Sequence, residues 1–422
     1  MTTDSPHPGR PRTPLLGCIA DDFTGASDVA GGLAAAGMRV AICFEVPDPV
    51  EVPRDCDALV IGLKTRSIAA DLAIARSLQA LRPLQRAGIR RFYFKYCSTF
   101  DSTDRGNIGP VLDALVHALD ARQSIVCPAT PAVGRTVYQG HLFVHGRLLH
   151  ESGMERHPLN PMTDADLVRV LSRQTARPVG LISHDVVVQG PAAIQSALRA
   201  LSEAPFAVID ALNDVHLAFI ADACAGMPLM SGGAGAVNAL PRAYRDLGLL
   251  ETQVAVPDLP KAKGHAAILA GSCSNATARQ ISDWNRTSPS HALNLSAATP
   301  ELASVLALEW ARPRLANGPI LIHSGADGSG VDQSRSGMIE KTMGLIAVGL
   351  IDAGVRRLIV AGGETSGSVV QALGPKMLRV GPQIDPGIPW TETTCQPTLA
   401  LALKSGNFGS DDFFRKALEM LP

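Results

Sequence analysis

Two adjacent carboxylates, Asp21 and Asp22, stand where the apolar run Leu15-Leu16-Gly17-Cys18-Ile19-Ala20 stops and Phe23-Thr24-Gly25-Ala26 opens an alanine-rich segment. The run reads as a buried strand and the segment as a helix. The pair therefore sits at a strand's carboxyl end, where ligands of open α/β sheets bind. Two carboxylates there are costly to bury unless a cation or a hydroxyl meets them. Asp22 is expected to cap the helix, but capping does not require both. Either aspartate could orient or deprotonate a hydroxyl, with Asp101 as second choice for the same work. Asp101 lies among Ser98, Thr99, Ser102 and Thr103, and Asn107 opens the next helix, a composition that an Asx or Ser/Thr turn explains equally well. Cations for an acidic ligand are Arg66 and Lys95, both just past apolar runs. Arginine's fork suits a carboxylate better than lysine's point charge. A solvated surface cation is the plainer reading of each.

A second chemistry is written in glycine. Apolar runs end in Ala270-Gly271-Ser272-Cys273-Ser274, in His323-Ser324-Gly325 and its continuation to Gly330, and in Ala361-Gly362-Gly363-Glu364-Thr365-Ser366-Gly367; a fourth such segment is Lys404-Ser405-Gly406-Asn407-Phe408-Gly409. Glycine lets the backbone approach a ligand closely, and free N–H groups at a helix start attract phosphate. The Walker pattern G-x-x-x-x-G-K-[ST] is missing, as is a dinucleotide fingerprint with its acidic ribose ligand. One glycine cluster alone is more often a tight strand–helix turn. Several along one sheet edge favour a nucleotide cleft. Glu364 would repel a phosphate unless a metal or a ribose hydroxyl lay between them.

The elements that must position these groups alternate regularly. Strands are expected over 15–20, 40–44, 58–62, 91–96, 124–127, 179–183, 206–210 and 228–231, then over 265–270, 292–295, 319–323, 357–361 and 398–404. Helices are expected over 26–36, 69–87, 108–119, 164–174, 192–201, 215–225 and 234–247, then over 276–285, 301–311, 337–353, 366–373 and 411–420. Gly37 and Gly88 stand where helices end. The alternation predicts an α/β protein with mainly parallel sheets flanked by helices. Residues 136–149 break the rhythm and read as an antiparallel excursion with a hairpin at His145-Gly146. Residues 251–264 carry prolines and a glycine without periodicity, which places an interdomain connection there, between an N-terminal domain over 14–250 and a C-terminal one over 265–422. Residues 1–13 read as a disordered tail.

At 422 residues two domains are the default. The net charge of −1 gives no general pull toward nucleic acid or anionic membrane, so an anion must be held by a few local groups. The eight cysteines form no C-x-x-C pair and no zinc spacing, as expected in a reducing cytoplasm. No apolar run approaches the ~18 residues that span a bilayer. A signal peptide is not expected, because polar and proline-rich residues precede Leu15-Leu16-Gly17-Cys18. His141, His145 and His184 form no metal-binding group by spacing. The two prolines of His157-Pro158-Leu159-Asn160-Pro161-Met162 fix an extended loop that either closes over a ligand or merely connects elements.

The run Ala20-Asp21-Asp22-Phe23-Thr24-Gly25-Ala26 resembles the opening motif of the four-carbon acid sugar kinases. The likeness continues in order through Lys95-Tyr96-Cys97-Ser98-Thr99-Phe100-Asp101-Ser102-Thr103, Gly106-Asn107-Ile108-Gly109-Pro110, Cys127-Pro128-Ala129-Thr130-Pro131, the 157–163 loop, Gly271-Ser272-Cys273-Ser274 and Gly362-Gly363-Glu364-Thr365. It implies two α/β domains with the active site in the cleft between them, the N-terminal one holding an acid sugar and the C-terminal one ATP with Mg2+. It implies catalytic Asp21, Asp22 and Asp101, and substrate contacts from Arg66, Lys95, Ser98 and Asn107. ATP contacts would come from Ser272 or Ser274, from Gly362, Gly363, Glu364 and Thr365, and from Gly406; no metal ligand is implied. The Tyr96-to-Phe100 segment before Asp101 looks like the 3-oxo-tetronate kinase branch, which phosphorylates the terminal hydroxyl. The alternative within the family is a threonate or erythronate kinase. Outside it stand a periplasmic sugar-acid binding protein, which needs a secretion signal, and a nucleotide-dependent oxidoreductase, which needs the missing fingerprint. Expected partners are small molecules and a second copy in a homodimer, with neither nucleic acid nor membrane.

Overall fold

Short runs of Val, Ile, Leu and Ala with nothing polar between them are expected to sit in a sheet covered on both faces. In the computed structural model, which describes residues 13–46, 53, 55–157, 159–252, 258–295, 299–325, 333–374 and 377–421, they do. Most of the expected tail, part of the 251–264 connection, Pro158 and the end of the second glycine-rich segment lie outside the described residues.

The N-terminal half contributes β1 (Leu16–Ala20), β2 (Val40–Phe44), β3 (Ala58–Gly62), β4 (Phe92–Lys95), β5 (Ser124–Cys127), β6 (Arg135–Tyr138), β7 (His141–Val144), β8 (Arg147–Leu148), β9 (Val179–Ile182), β10 (Phe206–Ile209) and β11 (Leu229–Gly232). The C-terminal half contributes β12 (His265–Ala270), β13 (Ser290–Ala292), β14 (Ile320–His323), β15 (Val355–Ala361), β16 (Leu378–Asp385), β17 (Ile388–Thr393) and β18 (Ala400–Lys404). Between them run α1 (Phe23–Ala35), α2 (Ala70–Arg86), α3 (Ile108–Ala118), α4 (Leu167–Gln174), α5 (His184–Val187), α6 (Pro191–Ala200), α7 (Asp214–Cys224) and α8 (Ala234–Asp246). The later helices are α9 (Asn275–Trp284), α10 (Pro300–Ala311), α11 (Gln333–Asp352), α12 (Gly363–Leu373) and α13 (Phe413–Met420).

Both parallel blocks are present: β2-β3-β1-β4-β11-β5-β10-β9 in the first half and β13-β14-β12-β15-β18 in the second. The excursion at 136–149 is the separate three-stranded sheet β6-β7-β8, and its turn uses His145 and Gly146 at φ 50° and 79°. Gly37 and Gly88, at φ 83° and 82°, end α1 and α2. Several expected boundaries need correction; the helices expected from 164, 337 and 366 begin at Leu167, Gln333 and Gly363. The strand placed at 292–295 is β13, at Ser290–Ala292, because it follows the pairing with β14 rather than the run of leucines. The helix placed from residue 26 is α1 and starts at Phe23, directly after its Asp22 cap.

The sequence does not announce how the blocks join. Strands β16 and β17 form an antiparallel hairpin, and β16 pairs antiparallel with β2 through Leu378↔Ile42 and Arg379↔Ala41, so that one sheet of 15 strands runs through both halves. Following the pairings across β18, β17, β16 and β2, the two parallel blocks point in opposite directions. Neighbouring strands also rotate by roughly 20–25°. The six steps from β15 to β1 therefore accumulate roughly 120–150° of twist, which undoes most of the reversal. Helix α1 accordingly packs on α12 as well as on its own sheet.

Candidate active site

At the end of β1, Asp22 adopts an extended backbone and caps α1, accepting the Gly25 N–H at 3.0 Å and the Thr24 hydroxyl at 2.6 Å. Asp21 is buried beside it, and its carbonyl receives the N–H groups of Thr65 and Arg66 from the turn after β3. That turn aims Arg66 back at both aspartates. Its Nε and Nη2 donate to the two oxygens of Asp21 at 2.9 and 2.7 Å, Nη2 also donates to Asp22 at 2.6 Å, and Nη1 reaches Asp101 Oδ2 at 3.4 Å. Four of the five guanidinium N–H bonds are thus engaged and one, on Nη1, remains for a ligand. Burial pushes the Asp21 carboxyl above its usual range in spite of Arg66. In Asp22 burial is outweighed by the charges of Arg66 and Lys95 and by the Thr24 and Gly25 donors, which hold it below that range.

Asp101 enters from the loop after β4. Phe100 and Asp101 both take left-handed φ, 62° and 53°, a strained pair for residues with side chains. Its Oδ1 is buried without a hydrogen-bond partner, and a cavity of about 10 Å3, lined by Asp21, Arg66, Asp101, Ser102 and Asn107, adjoins it. His157 Nδ1 stands 3.7 Å from that oxygen, and Asn160 of the same loop bonds Ser67 at 2.9 Å, so the 157–162 loop lies over the cluster. Asn107 has a structural task in this cluster. Its amide nitrogen donates to the carbonyls of Thr65, Arg66 and Ile68 at 2.8, 3.2 and 2.9 Å, fastening the turn that carries Arg66. Lys95 is buried under α1, donating to the Tyr96 carbonyl at 2.9 Å and lying 3.9 Å from Asp28; it adds positive charge below the aspartates. Ser98 is half-buried on the Asp101 loop.

In the other half the ends of β12, β15 and β18 lie side by side. Ser274 caps α9 and donates to the Gly406 carbonyl at 2.5 Å, while Ser272 Oγ accepts the Ser274 N–H at 3.2 Å. A Cβ on Gly406 would lie 2.2 Å from Ser272 Oγ, so a larger residue there would have to displace the Ser272 hydroxyl. Gly362, at φ 127°, precedes α12, whose first turn carries Gly363, Glu364 and Thr365; Thr365 is buried against Gly271. The residue that sequence reasoning missed is Lys404, a buried amine beneath this rim; its signal was a lysine ending an apolar strand directly before Ser-Gly.

The two clusters meet. Lys64 Nζ lies 4.0 Å from Glu364 Oε2, and a Cβ on Gly363 would sit 3.7 Å from Thr24 Cγ2. Asp21, Asp22, Asp101, Arg66 and Asn107 thus form one group, with Lys95 beneath it and Ser98 beside it. Ser272, Ser274, Gly362, Gly363, Thr365 and Gly406 form the other, and Glu364 stands between them. Open glycine turns over a buried cation fit a polyphosphate. Among the described residues no group of three His, Cys, Asp or Glu side chains could enclose a metal ion, and no helix is long and apolar enough to cross a membrane. A magnesium ion needs less than such a group, since it takes one or two carboxylates plus phosphate oxygens and waters.

An α/β half carrying a carboxylate–arginine cluster meets an α/β half carrying glycine-rich helix starts, an arrangement that suits a two-domain transferase, and comparison with known families agrees. Residues 16–240 match the family description "sugar-binding N-terminal domain" and residues 267–414 match "nucleotide-binding C-terminal domain". The chain is 48% identical to the 3-oxo-tetronate kinase of Burkholderia multivorans, with 97% of each chain covered, and 47% identical to that of Cupriavidus necator, again with 97% of each. A crystal structure from Salmonella typhimurium LT2 superposes with a TM-score of 0.85 at 40% identity, covering 97% of this chain and 100% of that one. The chain belongs to the four-carbon acid sugar kinase family, in its 3-oxo-tetronate kinase branch.

Proposed function

We propose that this chain is an ATP-dependent kinase that phosphorylates the terminal hydroxyl of 3-oxo-tetronate. The observation that carries the reading is the junction at Lys64, Glu364, Thr24 and Gly363, which sets a carboxylate–arginine cluster against glycine-rich helix starts across one gap. Residues 14–250 hold the acid sugar, 265–422 hold ATP, and 251–264 connect them. The substrate carboxylate meets the free Nη1 hydrogen of Arg66 with Lys64 and Lys95 nearby. Its terminal hydroxyl faces Asp101 Oδ1, the one oxygen of the three aspartates that is buried without a hydrogen-bond partner. That hydroxyl oxygen attacks the terminal phosphorus, its proton passes to the Asp101 carboxylate, and the bond from phosphorus to the bridging oxygen breaks to release ADP. Such a transfer asks for positioning and charge neutralisation more than covalent chemistry. Mg2+, when bound, would neutralise charge on the transferred phosphate, and Asp22 and Glu364 are the carboxylates that would hold it. Eight unpaired thiols suit a reducing cytoplasm.

The test is direct. Purified protein with ATP and magnesium is offered four-carbon acids, oxidised or not at C3, while ADP is followed. ADP with the 3-oxo acids alone is expected; ADP with tetronates alone transfers the reading to a threonate or erythronate kinase, and no acid-dependent ADP ends it.

A further inference from the structure

Lys404 closes β18 and is 1% exposed, and its ammonium has three acceptors, Thr277 Oγ1, the Ser405 carbonyl and the Gly406 carbonyl, each at 3.1 Å. The Gly406 carbonyl receives two further donors, Ser274 Oγ at 2.5 Å and Thr277 Oγ1 at 2.9 Å. In a planar trans peptide the N–H points opposite to the carbonyl it follows. With the carbonyls of Ser405 and Gly406 both drawn toward the amine, the N–H groups of Gly406 and Asn407 are turned away from it. Neither has an acceptor among the described residues. Two consecutive free N–H groups over a buried cation make an anion-binding concavity.

We propose that Lys404 is a positioning residue for the phosphates of the bound nucleotide, holding two carbonyls inward so that the Gly406 and Asn407 N–H groups face the anion with the ammonium behind them. The proposal rests on the kinase reading above and adds to it the proton that accompanies the nucleotide. No carboxylate among the described residues forms an ion pair with Lys404. Thr277 faces it from α9, Ala361 lies beside it on β15, and Ser405 and Gly406 bring carbonyls. The carboxylates of the surrounding elements are engaged elsewhere: Asp283 with Arg415, Asp385 with Lys416 and Ser410, Asp411 with Arg279, Glu392 with the Lys261 N–H, and Glu364 with Lys64. The cations of β15, Arg356 and Arg357, sit at its far end. Burial alone pushes the amine down to about 7. An arriving polyphosphate supplies the missing negative charge and favours the protonated form, so binding takes up a proton at a pH above that value.

The experiment is calorimetric titration of the full chain with ADP at pH 8 in two buffers of different ionisation heat. Wild type is expected to take up most of one proton. Lys404→Met is expected to take up none and to bind ADP roughly 10–100-fold more weakly, as for the loss of a charge-assisted hydrogen bond. ADP binding by wild type without proton uptake overturns the proposal and leaves the kinase reading standing; it needs no variant to fold. A Lys404→Met protein with wild-type affinity and uptake overturns it too. A wild type that binds no adenine nucleotide removes the kinase reading and the proposal together.

Discussion

Asp101 differs from its neighbours in one respect that matters for proton transfer. Asp22 is committed to a helix cap and Asp21 to a two-toothed grip on Arg66, whereas Asp101 keeps an oxygen free. Replacing it by asparagine preserves shape and removes the base. Asp101→Asn should lower kcat by about 10²–10⁴-fold while the KM for ATP changes little, which steady-state kinetics with each substrate varied will check. A wild-type kcat would return the role to Asp21 or Asp22. The residue types of this cluster were legible in the sequence, and so was the Asp22 cap, because capping is local. The sharing of Arg66 among three carboxylates was not, since its partners lie 35, 44 and 45 positions away. The same distance hides why Asn107 is an asparagine: it fastens a turn brought to it only by the sheet.

At the level of elements, the start of α12 offers a clean separation of folding from binding. Alanine is the better helix former by up to about 1 kcal/mol, and a Cβ on Gly363 meets nothing closer than 3.7 Å. Gly363→Ala should therefore melt at or above the wild-type temperature, yet raise the KM for ATP by at least several-fold if, as proposed, the nucleotide passes over this turn, because the new methyl stands on it beside Thr24. An unchanged KM would mean that the nucleotide does not pass over this turn. Gly406→Ala is the contrasting case, with a built-in clash against Ser272. The alternation of strands and helices was readable because parallel strands buried on both faces are written as uninterrupted apolar runs. The β16–β17 hairpin was not, since Gly381, Pro382, Pro386 and Pro389 break both of its runs into pieces that resemble loop.

Over the whole molecule the buried amine has a consequence for stability that can be signed. Lys404 titrates near 7 in the folded chain against 10.5 for an ordinary lysine. Between those values the unfolded chain binds more protons than the folded one, so unfolding becomes harder as pH rises. The gain is absent below about 7 and complete above about 10.5. Every pH step of one across that window contributes ~1.4 kcal/mol, so the whole gain is a few kcal/mol. Urea midpoints of the nucleotide-free protein should climb from pH 7 to pH 9, and Lys404→Met should flatten that climb; an equal slope in both would remove the lysine as its source. The two-domain plan was visible in the length and in the restart of the pattern near residue 265. The opposed directions of the two parallel blocks were invisible, because they are decided by a single short pairing between strands more than 330 positions apart.

That pairing also settles how many raw borders the molecule must guard. Two independent sheets would leave four outer strands with open backbone groups; stitched at β2 and β16, this one leaves two, β13 and β9, of three and four residues. Strands so short are poor templates for stray chains. Cutting the protein into its two halves would strip β2 and β16 of their cover at once. Each half would then carry a naked rim suited to capturing another copy, and the intact polypeptide is its own protection against that adhesion.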